Sequence, residues 1–279
     1  MKMKHVDPSI YDKNYYLNVC LGSAEYKKSK GNKLNKKWIE MLNLVKLKPG
    51  MRVLDLGCGR GDLAFYLAKR RISVVGIDYS KAAIELANFS LRRMPYEVKK
   101  LVKFMLMDAN KLNFQDNYFD LVIAIDVFEH LYKEELDLVM QKISKELKKD
   151  GILLVHTETN KIYLDFTHNF FVYPISSFLI KINNHFLKKS YQGLHQDPRN
   201  EYHKLQHVNE PTIFYLKKIF SKFFFKGRII SSVGILKPII TWKDYLYNFF
   251  VCLYPLSSFF PLNILFATDY ICIVKNNKK

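Results

Sequence analysis

At 279 residues and 49% apolar composition the chain can bury a sizeable core, which excludes disorder as its default state. A net charge of +18, from 44 Lys+Arg against 26 Asp+Glu, invites a nucleic-acid or anionic-membrane partner; the excess is mostly Lys, however, and reads equally as compositional bias, because nucleic-acid readers favour the forked Arg side chain. Cys20, Cys58, Cys252 and Cys272 form no C-x-x-C pair and residues 1–8 precede no apolar run, which argues against a zinc knuckle, a disulfide framework or a secretory leader and for a reducing, cytoplasmic compartment.

The chain reads as a single domain. Residues 1–48 are expected to form an N-terminal helical cap. From 49 to 157, short apolar runs alternate with amphipathic stretches, the pattern of βαβ units that close a parallel sheet. Strands are predicted at 52–56, 73–78, 103–107, 119–126 and 151–157, and helices at 62–71, 81–91 and 133–147. The rhythm then breaks into an aromatic, His-rich stretch at 158–208. An irregular segment of that length is usually functional, and it is expected to be a substrate-covering insertion. A helix at 210–221 follows, with Asn209 as capping candidate and Pro211 at an early position. The strands at 228–233 and 269–274 flank an apolar insertion at 236–267.

The strongest chemical signal is Val53-Leu54-Asp55-Leu56-Gly57-Cys58-Gly59-Arg60-Gly61-Asp62, a strand running through a glycine turn into a helix. Glycines let the backbone approach a ligand and adopt positive φ. A dinucleotide fingerprint would place its third glycine at position 62, which is Asp62; the glycine comes one residue early, at Gly61. An acid at Asp55 is also poorly suited to a pyrophosphate, whereas a carboxylate favours a cationic amino-acid moiety.

This segment resembles the first motif of the class I S-adenosylmethionine-dependent methyltransferases, and the resemblance covers about 53–157. It implies an α/β fold with a doubly wound, seven-stranded, mostly parallel Rossmann-like sheet whose last strand is antiparallel. It also implies S-adenosyl-L-methionine as cofactor, with Asp55, Gly57, Cys58, Gly59 and Gly61 around its methionine part. Val74-Val75-Gly76-Ile77-Asp78-Tyr79 ends the second strand in an acid placed for ribose hydroxyls, so Asp78 and Tyr79 join the cofactor set. Met107-Asp108-Ala109-Asn110 ends the third strand and implies Asp108 and Ala109 at the adenine. Each acid alone could be a turn former. Three of them at successive strand ends behind a glycine turn point to a ligand edge. Tyr11, Tyr15 and Tyr16 either fold over the cofactor, as in similar enzymes, or pack on the surface.

The fourth strand ends Asp126-Val127-Phe128-Glu129-His130. No Asn/Asp-Pro-Pro-aromatic tetrapeptide stands there, which lowers a nucleic-acid amino-methyltransferase. Asp126 is expected near cofactor and acceptor. Asp126, Glu129 and His130 are the catalytic candidates, as a general base with its orienting acid. They also resemble a cation-binding arrangement in certain ubiquinone-pathway O-methyltransferases, and Glu129 and His130 could simply begin a helix. His203 and His207, four apart, could share a helical face, but no metalloprotease-type Glu supports them and no metal is assigned.

Two uncharged segments, 170–180 and 245–266, carry the echo Tyr173-Pro174-Ile175-Ser176-Ser177-Phe178 and Tyr254-Pro255-Leu256-Ser257-Ser258-Phe259. The second is about long enough to span a bilayer, but Pro255 and Pro261 interrupt it. Because the resembled fold has parallel fifth and sixth strands, both segments are expected to rim the acceptor pocket as lid, dimer interface or lipid contact. Lys27, Lys28, Lys30, Lys33, Lys36, Lys37, Lys278 and Lys279 add attraction for anionic headgroups. The reading is O-methylation of a small-molecule or lipid-linked, hydrophobic acceptor by a cytoplasmic enzyme peripheral to an anionic membrane. An RNA methyltransferase, with nucleic acid the less favoured partner, and a non-catalytic partner protein are the alternatives.

Overall fold

The computed structural model describes residues 4–158, 160–187, 192–232 and 242–278. Lys279, Val233 at the end of the sixth expected strand, positions 236–241 of the apolar insertion and 188–191 of the earlier one lie outside the described residues.

Seven strands form one sheet in the order β3-β2-β1-β4-β5-β7-β6, with β1 Arg52–Leu56, β2 Ser73–Asp78, β3 Val102–Leu106, β4 Phe119–Ile125, β5 Leu147–Thr157, β6 Phe225–Ser232 and β7 Asp269–Asn276. The first five pair in parallel, and β7 runs antiparallel between β5 and β6. Central strands are continuous apolar runs because both faces are covered. Leu54, Val122 and Leu153 face one core with Phe128, Met140 and Leu216. Val53, Ile123 and Leu154 face the other with Leu63, Phe65 and Leu67, as the two-residue strand period demands.

The cap contains α1 Ser23–Ser29 and α2 Lys36–Leu42. Helices α3 Asp62–Ala68, α4 Lys81–Leu91, α5 Tyr96–Lys99 and α6 Lys133–Glu146 follow between the strands. The insertion holds a wide-turned π-helical stretch Tyr163–Val172, α7 Tyr173–Leu187 and α8 Glu201–Gln206; α9 Ile213–Lys222, α10 Trp242–Cys252 and α11 Leu262–Phe266 complete the chain.

Several boundaries move for local reasons. The helix expected to 71 ends at Ala68, and Arg71 takes a left-handed φ of 61°. β5 begins at Leu147, which pairs with Phe119 across an irregularity. β4 stops at Ile125, and Asp126 turns the corner at φ 54°. Asn209 is not the cap of α9. Its amide donates to the Phe128 carbonyl at 3.3 Å, while the Thr212 hydroxyl caps the helix by accepting from Tyr215 N at 3.2 Å.

The two apolar segments share a core of their own, built from Tyr163, Leu164, Val172, Val251, Cys252 and Phe266. Thr167 Oγ1 donates to the Leu265 carbonyl at 2.7 Å, and Asn160 Nδ2 to that of Ala267 at 2.8 Å. The echoed hexapeptides fold differently: the first opens α7, and the second forms the turn between α10 and α11. No helix among the described residues is long and apolar enough to cross a membrane.

Candidate active site

The carboxyl edge of the sheet carries a cavity of about 290 Å³ lined by Asp55, Gly57, Cys58, Gly59, Asp78, Tyr79, Asp108 and Ala109, together with Asp126, Glu129 and His130. The β1 exit builds its floor. Gly57 N and Cys58 N both donate to the Ile77 carbonyl at 2.9 Å, tying the turn to β2. Gly57 has φ 71°, and a Cβ there would stand 2.6 Å from Val127 Cγ2. Gly61 is set back from the cavity wall. It caps α3 at φ 82°, with Phe104 filling the space where a Cβ would sit, 2.5 Å away. Gly61→Ala is expected to cost about 2–4 kcal/mol in chemical denaturation, from left-handed strain and overpacking together.

Three acids converge on this turn. Asp55 is fully buried, its Oδ2 has no hydrogen-bond partner, and burial with the charges of Asp78 and Asp62 pushes its carboxyl up to about 7. Asp78 accepts from Gly59 N at 3.0 Å and Ser80 N at 2.8 Å; burial raises it to about 6 against those bonds. Asp108 Oδ1 accepts from Asn110 N at 2.8 Å and opens the short turn Ala109–Lys111.

The N-terminal tyrosines cover the cavity: Tyr11, Tyr15 and Tyr16 line it, with Tyr11 and Tyr16 buried. The cover is held from inside the glycine turn. Arg60, itself buried, donates to the carbonyls of Tyr16 at 2.5 Å and Leu21 at 2.8 Å and pairs with Asp62 at 3.1 Å. Ser80 Oγ donates to the Tyr11 carbonyl at 2.7 Å. Arg60 was not among the expected site residues although it stands within the motif; a cation between glycines is the signal the sequence carries.

Asp126 is drawn into an ion cluster. It bonds His156 Nδ1, and His156 Nε2 lies 3.1 Å from Asp269 Oδ2. Lys37 Nζ reaches Asp269 Oδ2 at 3.2 Å and Glu158 Oε1 at 3.5 Å. Burial alone would push His156 down, but Asp126 and Asp269 carry it up to about 10. With carboxylates at both ring nitrogens, it is a buried imidazolium. His156, Asp269, Glu158 and Lys37 were not anticipated as site residues, although His156 and Asp269 stand at the edge ends of expected strands.

Glu129 is buried; its Oε1 accepts from Glu158 N at 3.3 Å, and Oε2 has no partner. Burial and the Asp126 charge raise it to about 8. His130 Nδ1 lies 3.1 Å from the Tyr11 hydroxyl and 3.2 Å from the Gln206 carbonyl, and burial lowers it to about 4, leaving a neutral imidazole. His203 and His207 are stacked, ring centroids 4.5 Å apart and planes 15° from parallel, and His207 lies 5.0 Å from His130. The insertion reaches the cavity through Asn200, Tyr202, His203, Gln206 and His207. Neither 170–180 nor 245–266 contributes to the wall, contrary to expectation, because those segments bury their apolar faces on each other.

Residues 47–209 match the family model for a methyltransferase domain. The chain is 36% identical over 118 residues to the cyclopropane-fatty-acyl-phospholipid synthase of Escherichia coli, covering 42% of this chain and 28% of that protein. It is 33% identical over 126 residues to phosphoethanolamine N-methyltransferase 3 of Arabidopsis thaliana (45% and 24%) and 34% identical over 118 residues to the ubiquinone biosynthesis O-methyltransferase of Pelagibacter ubique (41% and 45%). The chain thus spans less than half the length of each. Among solved structures, an S-adenosylmethionine-dependent methyltransferase from Mesorhizobium loti superposes with a TM-score of 0.56 at 12% identity, over 86% of this chain and 97% of that one. The matched model spans more than half of the chain, and the seven-stranded fold superposes on that structure: the chain belongs to the methyltransferase domain family and has the class I S-adenosylmethionine-dependent methyltransferase fold.

Proposed function

We propose that the protein transfers a methyl group from S-adenosylmethionine to an oxygen of a hydrophobic or lipid-linked acceptor, at the cytoplasmic surface of an anionic membrane. The cavity fits the cofactor. An unpartnered, buried Asp55 Oδ2 beside a glycine turn suits a primary ammonium. Asp78 keeps lone pairs for ribose hydroxyls beyond its two backbone bonds, and Asp108 and Ala109 lie at the next strand end for adenine. When bound, the sulfonium supplies an electrophilic methyl carbon. The protein's part is to orient the acceptor, exclude water through the tyrosine cover and receive the acceptor's proton, with Glu129 or neutral His130 as the base and Asp126 held by His156 as the positioning acid.

The observation that carries the acceptor class is the aromatic lobe. β5 exits into it at Thr157 and β7 returns from it at Asp269, the sheet edge on which the cavity lies. Its outer surface exposes Phe166, Phe170, Phe178, Phe186, Phe259 and Phe260, the last at 80%. Apolar rings displayed on a cationic protein favour a lipid interface. The relatives named for fatty-acyl-phospholipid and ubiquinone O-methyl chemistry support a lipid acceptor and an oxygen target.

Flotation tests the interface. The protein is expected to float with anionic liposomes more than with neutral ones, and Phe259→Ser/Phe260→Ser to lose most of that binding while retaining S-adenosylhomocysteine. Absence of flotation with the cofactor product still bound would redirect the acceptor search to soluble metabolites and RNA.

A further inference from the structure

We infer that Glu129, His130 and His207 form a binding site for one divalent transition-metal ion of the zinc or iron(II) class, in the wall of the cavity. This rests on the methyl-transfer reading and deepens it by naming what would hold an acceptor hydroxyl. One ligand atom from each residue lies within 4.8 Å of the other two. Three donors at that spacing surround a point at most about 2.8 Å from each, so metal bonds of about 2.1 Å require inward rotations of about 0.7 Å or less. All three residues line the cavity.

An independent observation points to a missing partner. Glu129 Oε2 and His207 Nδ1 are both buried and lack any hydrogen bond, and the Glu129 residue is 1% exposed. An unpaired buried polar atom costs about 1–3 kcal/mol, so two in one triad of donors call for a ligand. The surroundings are those of a metal-binding histidine pair. The Gln206 carbonyl, 3.2 Å from His130 Nδ1, can fix that ring's tautomer, and His203, stacked on His207, holds the plane of the second ring. Asp126 stands outside the set, with its Oδ1 bonded to His156 Nδ1.

Two imidazoles and one carboxylate suit zinc, iron(II) or cobalt over magnesium or calcium, which take oxygen ligands. Three protein ligands leave positions open towards the cavity. With the ion bound, Glu129 and His130 would serve as its ligands and not as the base, so an acceptor hydroxyl held there would release its proton to water; its oxygen would form the new bond to the methyl carbon as the carbon–sulfur bond breaks, with that electron pair staying on sulfur.

The test uses the full chain after chelator treatment, titrated with Zn²⁺ by calorimetry and with Co²⁺ by visible absorption, beside S-adenosylhomocysteine on the same sample. One ion per chain is expected, with Co²⁺ bands of a four- or five-coordinate site. His207→Ala and Glu129→Gln should each weaken the ion by on the order of 100-fold, His185→Ala should leave it unchanged, and His207→Ala should retain S-adenosylhomocysteine, which shows that it folds. Nucleoside binding without ion binding, or Zn²⁺ binding equally tight in His207→Ala, overturns the metal site and leaves the methyltransferase reading standing. Ion binding without nucleoside binding does the reverse.

Discussion

Asp55→Asn is expected to raise the melting temperature of the ligand-free protein by roughly 5 °C and to weaken S-adenosylhomocysteine binding by on the order of 100-fold. The two effects have one cause. The folded Asp55 carboxyl titrates at about 7 against 3.8 for the ordinary group. Between those values the folded state holds a proton that the unfolded chain has released, so ligand-free stability falls as pH rises through that window. Above it, a buried charge faces Asp78 and Asp62 without a partner, a cost of about 2–4 kcal/mol that asparagine removes. The same charge is what a ligand ammonium needs. Wild-type affinity is therefore expected to fall about tenfold per pH unit below about 7, because binding must first expel the proton. Asp55→Asn should be weak and flat across that range in calorimetry, with its stability gain read by thermal unfolding. A variant that loses stability but keeps affinity would make Asp55 a structural residue.

His156→Leu is expected to remove about 3–5 kcal/mol of stability near pH 6, because Asp269 and Asp126 lose the cation between them and Lys37 is the one cation left beside them. The pH dependence identifies the group. With a folded pKa of about 10 against 6.5, the stabilisation by His156 is complete below about 6.5 and is lost as pH rises through about 10. Burial would raise Asp269, but its His156 bond and Lys37 carry it down to about 2 from 3.8, so its share is present above about 3.8 and lost as pH falls through about 2. Urea denaturation should therefore show a gap between wild type and His156→Leu that is widest from about pH 4 to 6.5 and nearly closed above pH 10. A pH-independent gap would mean that His156 only fills space.

The glycine-turn side of the cavity was legible because it is local. Asp55, Gly57, Cys58 and Gly59 follow one strand without a break, and Asp78 and Asp108 end the next two, so strand periodicity and turn chemistry place all of them on one edge. The opposite wall of the cavity was legible only at Asp126, Glu129 and His130. Its other members arrive from far along the chain: His156 and Asp269 are 113 residues apart, and His207 comes from the insertion. No local pattern announces that a buried histidine will sit between two aspartates. Arg60 was hidden for another reason, since its partners are the backbone carbonyls of Tyr16 and Leu21, which carry no residue signature. The apolar segments show the limit of composition. Hydrophobicity marked 170–180 and 245–266 as needing cover, but whether that cover would be the cavity, a membrane or each other depended on the connections after β5 and β6.

The most direct test of the proposed reaction is transfer of labelled methyl from S-adenosylmethionine in the presence of a total lipid extract, a soluble metabolite pool or total RNA. Label is expected in the organic phase, dependent on Asp55 and Glu129 and carried as a methyl ether or ester. Label confined to the aqueous metabolites or to RNA would contradict the lipid acceptor.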